Sequence, residues 1–223
     1  MLGLRLQINY HAMMRLALTI TKTNLTFERD KSGLPLSLTL NIGGILSKEL
    51  FSGKINISYG QFYIEQHEED PVNYADLDEA FEGQQNGLCG AAQASRLFLI
   101  VGPQNGAIEL KVELCSTEPK IDHDASDIVQ CSFSNKGSNL HIVEWADEAH
   151  YPLDLPEGKF YARYSIQGMD KEHASDCSDE EFEKPIAGQN YKIQFWKSDL
   201  AGDQVIKSES ELGRYWHGER KDV

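Results

Sequence analysis

The chain has 223 residues, of which 40% are hydrophobic and 25% are charged, a composition typical of a globular protein. Its longest apolar stretch, LFLIV at 97–101, is far shorter than the roughly 18 residues that span a bilayer, so we expect no membrane association. The formal net charge of −14 repels nucleic acid and anionic lipid.

The charge is unevenly distributed along the chain. Residues 1–54 hold seven basic and three acidic side chains, so the remaining residues carry a net charge of −18. This negative charge favours a basic protein partner, for example the phosphate-binding cleft of a nuclease. An acidic protein without such a partner would have the same charge distribution. The first 27 residues lack the continuous apolar run of a secretory signal, and we therefore expect a cytoplasmic location.

Residues 1–53 form an N-terminal extension whose order the sequence leaves open. Leu16, Leu18 and Ile20 alternate with threonine and lysine, and leucine and isoleucine alternate with polar residues at 36–42, across the turn sequence DKSGLP. These two segments could pair as a β-hairpin. Glycines at 43–44 and 53 suggest flexible joints around the segment 45–51. We place the main domain at 54–217, with an acidic insert at 168–186.

Alternation of apolar and polar residues with period two predicts strands through most of the main domain. It is clear at 55–59, 108–114, 128–133 and 191–195, and turn residues in GPQNG and SNKGS predict two hairpins. The only helix candidate is 74–84. The pattern predicts an all-β fold, an antiparallel β-sandwich of about seven to nine strands.

A strand also follows the turn LPEG at 155–158. It places Phe160, Ala162, Tyr164 and Ile166 on one face and Lys159, Tyr161, Arg163 and Gln167 on the other, which predicts one face for the core.

Catalysis has one weak candidate, Cys89 in QQNGLCGAAQ. Cys89 could pair with His141 or His150, oriented by Asp147 or Glu144, as in a cysteine hydrolase, but short motifs of this kind arise often by chance. The glycines are not followed by the lysine and hydroxyl residue of a phosphate-binding loop. We therefore do not expect an enzyme.

Metal ions and cofactors are not expected either. The four cysteines are far apart and form no C-x-x-C pair, while Asp122, His123 and Asp124 in one loop are more typical of turn and capping groups. The sequence RYWHG at 214–218 could stack on bases, but the net charge disfavours nucleic acid.

The strongest local feature is an acidic run from Asp170 to Lys184, with seven carboxylates and two lysines. A solvated loop is the simpler interpretation, and a contact surface for a basic partner is the functional one. The predicted partner-binding residues are Asp170, Glu172, Asp176, Asp179, Glu180, Glu181 and Glu183.

Two further stretches, INISYGQFYIEQ at 55–66 and LDLPEGKFYARY at 153–164, resemble the ComJ family of competence proteins, together with the buried strand RLFLIV. The resemblance spans about residues 54–206. It implies a bacterial β-sandwich that binds protein and inhibits a DNA-entry nuclease. It assigns no individual site residue.

The leading hypothesis is therefore a cytoplasmic, protein-binding β-sandwich that acts as an inhibitor or immunity protein of a nuclease or toxin. The alternatives are a cysteine hydrolase that uses Cys89 and a structural or carbohydrate-binding sandwich.

Overall fold

The computed structural model describes residues 24–29, 35–41, 47–66, 76–93, 95–137, 139–174, 177–199 and 201–219. The chain divides into two compact units, Met1–Ile45 and Leu46–Val223. In the first unit, strands β1 (Asn24–Arg29) and β2 (Pro35–Asn41) pair antiparallel, with an irregularity between Glu28 and Arg29. The alternating residues after DKSGLP therefore lie in a paired strand, but its partner is 24–29, and the segment 16–20 that the sequence suggested as the partner lies outside the described residues.

The second unit consists mainly of strands. They are β3 (Ser47–Ser58), β4 (Gln61–Gln66), β5 (Cys89–Gly90), β6 (Arg96–Ile100), β7 (Asn105–Cys115), β8 (Asp127–Asn135), β9 (Leu140–Val143), β10 (His150–Pro152), β11 (Gly158–Gln167), β12 (Asn190–Lys197) and β13 (Asp203–Ser208). Among the described residues, the short helices α1 (Leu77–Ala80) and α2 (Asp179–Phe182) lie between strands, α3 (Glu211–Glu219) follows β13, and a 3₁₀ turn lies at Trp145–Asp147. The prediction of a fold made mostly of strands is confirmed.

The strands form one curled, mixed sheet rather than the antiparallel sandwich that the sequence predicts. The order is β10-β9-β4-β3-β7-β12-β11-β8-β13, and β6 pairs with both β4 and β5. Strands β7 and β12 run parallel, with Tyr191 opposite Leu110 and Trp196 opposite Cys115. Alternation reports which residues face a core but not which strand lies alongside, so it could not have shown this pairing.

The sheet folds over itself at a two-residue turn between β3 and β4. Ser58 and Gln61 are the only residues that these two strands pair, after which β3 follows β7 and β4 follows β6 and β9. This turn divides the sheet into two layers, β10-β9-β4-β6-β5 and β3-β7-β12-β11-β8-β13. The layers contact each other where the Tyr164 hydroxyl on β11 donates to the Ile100 carbonyl on β6 at 3.0 Å. Between them lies the main core, which includes Phe160 and Tyr164 as the apolar face of β11 predicts.

The opposite face of β11 is buried as well. Tyr161 and Arg163, predicted to lie away from the core, are each only 1% exposed. The segment 116–125 covers Arg163, whose guanidinium donates to Glu118 at 2.6 Å and to the Pro119 carbonyl, while Tyr161 packs with Cys115 and Trp196. The sheet is therefore covered on two faces in this region.

The turn sequences GPQNG and SNKGS do not close hairpins. Strand β6 pairs with β4 and β5 while β7 pairs with β3 and β12, and β8 and β9 likewise have different neighbours. Both connections carry the chain from one layer to the other. Asparagine and glycine permit a sharp reversal, but a reversal can also lead to another layer.

Helix α3 is an element that the sequence analysis missed. Ser210 precedes it, and its hydroxyl accepts a hydrogen bond from the Gly213 amide at 2.8 Å. Leu212 and Trp216, four residues apart, both pack against the main core. A serine followed by apolar residues at this spacing is the signal that could have predicted the helix. The predicted helix at 74–84 is limited to Leu77–Ala80 where described.

Candidate protein-binding site

The acidic segment, residues 168–189, connects the neighbouring antiparallel strands β11 and β12. Its two ends are joined to each other: the Lys171 ammonium donates to the Ala187 carbonyl at 3.1 Å, and the Gln189 side chain donates to the Lys171 carbonyl at 3.1 Å. The two ends of the segment are therefore hydrogen-bonded to each other where the segment leaves the sheet.

Helix α2 lies within this segment and begins with a capping box. The Ser178 hydroxyl accepts from the Glu181 amide at 3.3 Å, and the Glu181 carboxylate accepts from the Ser178 amide and hydroxyl, each at 3.0 Å. These backbone and side-chain hydrogen bonds from Ser178 lower the pKa of Glu181. The sequence Ser-Asp-Glu-Glu thus stabilises this helical turn, because the side chains of Ser178 and Glu181 each accept a hydrogen bond from the other residue's backbone amide.

The acidic segment is also held against the end of β7. Rings of His173 and Phe182 are 5.3 Å apart, and both residues lie over Gly106. A Cβ atom at Gly106, whose φ is +112°, would lie 2.9 Å from the Phe182 carbonyl oxygen, so this approach requires glycine. The carboxylates of α2 are consequently presented on a turn attached to the sheet.

The predicted partner-binding residues are not equivalent in this setting. Glu172, Glu180 and Glu183 are exposed, and Glu180 pairs with Lys184 at 2.9 Å, a surface ion pair. Asp170 accepts from the backbone amides at the start of α3, at 2.7 and 2.9 Å, so its carboxylate is used within the fold.

Two other predicted positions and two apolar side chains complete the description of the acidic segment. Asp176 lies outside the described residues, and Asp179 begins helix α2. Met169, which adjoins the segment, is 1% exposed and belongs to the core, whereas Phe182 is 41% exposed. Phe182 is therefore the apolar side chain that a partner could touch here.

Cys89, the candidate nucleophile, lies in the core beside Cys131, and their sulfur atoms are 3.3 Å apart. The hydrogen bond with Cys131 and burial raise the pKa of Cys89 well above its usual value. This is the opposite of the lowered pKa that activates a thiol.

The histidines considered as partners of Cys89 lie elsewhere. His141 is on β9, and β6 and β4 separate β9 from the strand of Cys89, a distance of about 14 Å at normal strand spacing. His150 pairs with Asp147 at 2.9 Å. The buried Glu144 carboxylate accepts from the Asn56 amide at 2.7 Å and the Tyr151 hydroxyl at 2.9 Å. The trio that the sequence suggested is not assembled.

The loop with Asp122, His123 and Asp124 is a turn that packs on the sheet. Asp122 pairs with Lys192 and accepts from the Asp124 amide at 3.1 Å, and the bond with Lys192 lowers the pKa of Asp122. Among the residues that the structure describes, no three histidine, cysteine or acidic side chains are grouped to hold a metal ion. The described helices include none long and apolar enough to cross a membrane.

Comparisons with known proteins returned two solved structures among their matches. One is ComJ from Bacillus subtilis, described as an inhibitor of the DNA-degrading activity of NucA, with 17% identity, a TM-score of 0.46 and coverage of 69% of this chain and 99% of that chain. The other is named Crocagin biosynthetic gene J, with 14% identity, a TM-score of 0.47 and the same two coverages. The resemblance to ComJ expected from the sequence is thus present, and it is weak. No family model and no curated protein matches.

Proposed function

We propose that the chain is a non-catalytic protein-binding domain that inhibits a basic partner, such as a nuclease or toxin. The observation that carries this proposal is the acidic segment, in which exposed carboxylates are held on an ordered turn attached to the sheet. The resemblance of the stretches at 55–66 and 153–164 to the ComJ family supports the same class of partner. The acidic surface would occupy the cleft in which a nuclease binds DNA phosphates.

The carboxylates of the acidic segment act mainly on the rate of encounter. Exposed charges attract an oppositely charged partner over a distance of about 10 Å at moderate salt, and they contribute little to holding the complex together. Phe182, exposed beside them, supplies apolar contact. Binding should therefore weaken as salt is added.

The test uses a purified DNA-entry nuclease as the partner and follows both DNA cleavage and association. Replacing Glu172, Glu180 and Glu183 by glutamine removes three exposed charges and leaves the capping carboxylates of Asp170 and Glu181 in place. We expect association to slow by about three- to tenfold at low salt, with a smaller salt dependence.

A matched control changes the net charge equally at exposed glutamates outside the acidic segment: Glu79, Glu82 and Glu157, each replaced by glutamine. Its association rate should stay within about twofold of the original, because only charges near the contact steer strongly. Equal slowing by both variants would mean that net charge alone acts. Failure of the original chain to inhibit or bind the nuclease would contradict the proposed partner class.

A further inference from the structure

The turn between β3 and β4 carries an unexpected residue. Both of its central residues are left-handed, with φ of 58° at Tyr59 and 70° at Gly60. Asparagine followed by glycine is the favoured pair for such a turn, since a side chain with a large ring is disfavoured at positive φ. Tyrosine is present instead, and it is 64% exposed. Neither backbone geometry nor burial explains this choice.

The exposed Tyr59 ring pairs with the half-buried ring of Trp145. The ring centres are 4.6 Å apart, at an interplanar angle of 43°. Trp145 is followed by two more left-handed residues, Ala146 at 53° and Asp147 at 65°. The described part of the chain has four non-glycine residues with positive φ: Tyr59, Ser95, Ala146 and Asp147. All except Ser95 belong to this aromatic pair or directly follow it. Disfavoured backbone of this kind is concentrated at functional sites.

Hydrogen bonds of the neighbouring residue Glu144 also hold the pair in place. Glu144, next to Trp145 and 2% exposed, accepts hydrogen bonds from the Asn56 amide on β3 and from the Tyr151 hydroxyl on β10. These bonds join the 3₁₀ turn to the strand that leads to Tyr59. A rigid aromatic pair loses little conformational freedom when a partner binds, which favours affinity.

The aromatic pair and the acidic segment lie at the same end of the sheet. Gly106 is opposite Ile57 on β3, two residues before Tyr59, and Gly106 is also where Phe182 approaches. The Gly60 amide at this turn also donates to the Gln104 carbonyl at 2.9 Å, next to the first residue of β7, so the turn and α2 both lie by the start of β7. Acidic groups also border the pair, since Asp147 and Glu148 follow Trp145 and are exposed.

We propose that Tyr59 and Trp145 form the anchor that receives an arginine or lysine side chain of the basic partner. This inference rests on the proposed function and assigns the contact that holds the complex. Tyrosine and tryptophan are enriched among the residues that dominate binding energy, and the face of an aromatic ring attracts a cation. The surrounding carboxylates add to that attraction, and the acidic segment brings the partner to this end.

The first experiment needs no natural partner. The full chain is labelled with 5-fluorotryptophan, and the Trp145 resonance is assigned as the signal lost in Trp145→Phe. A glycine-arginine repeat peptide is the probe, and the same peptide with neutral citrulline in place of arginine is its control. We expect the Trp145 signal to shift saturably with the arginine peptide, and at least about fivefold more weakly with the citrulline peptide. Equal responses to both peptides, or none, would overturn the anchor.

The matched variant is Tyr59→Asn, which converts the turn to the favoured asparagine-glycine pair. We expect its melting temperature to be unchanged or higher, while the response of Trp145 to the arginine peptide falls at least about fivefold. A retained response in this folded variant would overturn the anchor. Should Tyr59→Asn fail to fold, Tyr59→Gly, which is also compatible with positive φ, replaces it.

The nuclease complex separates this inference from the proposed function. Tyr59→Asn should speed dissociation about tenfold and leave the association rate nearly unchanged, whereas loss of the three segment charges should do the reverse. An unchanged dissociation rate would overturn the anchor and leave the proposed function standing. If the nuclease does not bind while the arginine response depends on Tyr59, the proposed partner class is wrong and the anchor is supported.

Discussion

The guanidinium carbon of Arg163 lies 5.2 Å from the centre of the Trp196 ring, on the face of the sheet opposite the main core. Tyr161 meets the same indole ring edge-on at 5.5 Å, and the Gln130 side chain accepts from Arg163 at 2.6 Å. These contacts, under the segment 116–125, form a second buried cluster. The arginine is 1% exposed, so its removal tests how much this cluster stabilises the fold.

Arg163→Leu should lower the free energy of unfolding by about 3 kcal/mol, because it removes the buried donor for Gln130 and the Pro119 carbonyl. Chemical denaturation measures the change. Glu118→Gln is the control: that side chain is 58% exposed, and its loss of charge should cost less than about 1 kcal/mol. Equal effects of the two variants would mean that the ion pair, rather than the buried hydrogen bonds, stabilises this face.

Cys89 should resist alkylation in the native protein, because it is buried and its pKa is raised by Cys131 and by desolvation. With iodoacetamide at neutral pH and analysis by mass spectrometry, we expect Cys177, which is only half-buried, to react first. In denaturant all four cysteines should react, which serves as the control. Modification of native Cys89 before Cys177 would revive the hydrolase hypothesis.

Asp170→Ala should lower the free energy of unfolding by about 1 kcal/mol, because the carboxylate accepts from the Glu211 and Leu212 amides as an N-cap does. Asp170→Asn retains an acceptor oxygen and should cost only a few tenths of a kcal/mol. Thermal and chemical unfolding of the two variants provide the comparison. A loss as large for asparagine as for alanine would point to charge rather than capping.

Stability should decline at alkaline pH. Burial is the largest of the causes that raise the pKa of Tyr63 and of Tyr151 to about 12, and burial also raises the pKa of Tyr164. In the unfolded chain these phenols ionise near pH 10, so above that pH the unfolded state loses protons that the folded state keeps. Their stabilisation is therefore complete below about pH 10 and is lost towards pH 12.

Urea denaturation at several pH values measures this decline, and Tyr151→Phe is the matched variant because it keeps the ring. Its stability should fall less steeply with pH, since one shifted phenol is absent. Identical slopes for the variant and the original chain would show that Tyr151 does not contribute. Phenolate absorbance of the folded protein should likewise rise later than that of the denatured chain.

The start of the main domain can be located by truncation. Strand β3 runs continuously through the predicted boundary at 53–54, and its first part pairs with β7 from Ser47 opposite Cys115 to Gly53 opposite Leu110. We propose that a chain starting at residue 46 unfolds cooperatively at a higher denaturant concentration than one starting at 54. The shorter chain would leave half of that edge of β7 without hydrogen-bond partners. Equal midpoints would support the boundary that the sequence predicts.

Much of the local structure could be predicted from the sequence, because side-chain alternation directly records a buried face. Phe160 and Tyr164 lie in the core as their spacing indicates. Alternation does not predict the burial of Arg163, since what covers it is the segment at Glu118 and Pro119, some 40 residues earlier, which carries no periodic signal. A second cover over a sheet depends on distant chain, which alternation within one strand cannot reveal.

The candidate site was predictable in part for a similar reason. A run of carboxylates is visible in the sequence, and Ser178 with Glu181 has the spacing of a capping box. That Asp170 would cap α3 depends on contacts formed only in the folded chain. Tyr59 and Trp145 are 86 positions apart and became a pair only through the turn geometry.

The parallel pairing of β7 with β12 has a consequence for how the chain reaches its fold. Tyr191 and Leu110, which are opposite each other at the middle of the sheet, are separated by about 80 residues, so a long loop must close before this ladder forms. Domains dominated by such distant pairings typically fold in milliseconds to seconds rather than microseconds. Until β12 emerges during synthesis, β7 has an uncovered edge, and the high negative charge of the chain would limit association between unfinished copies.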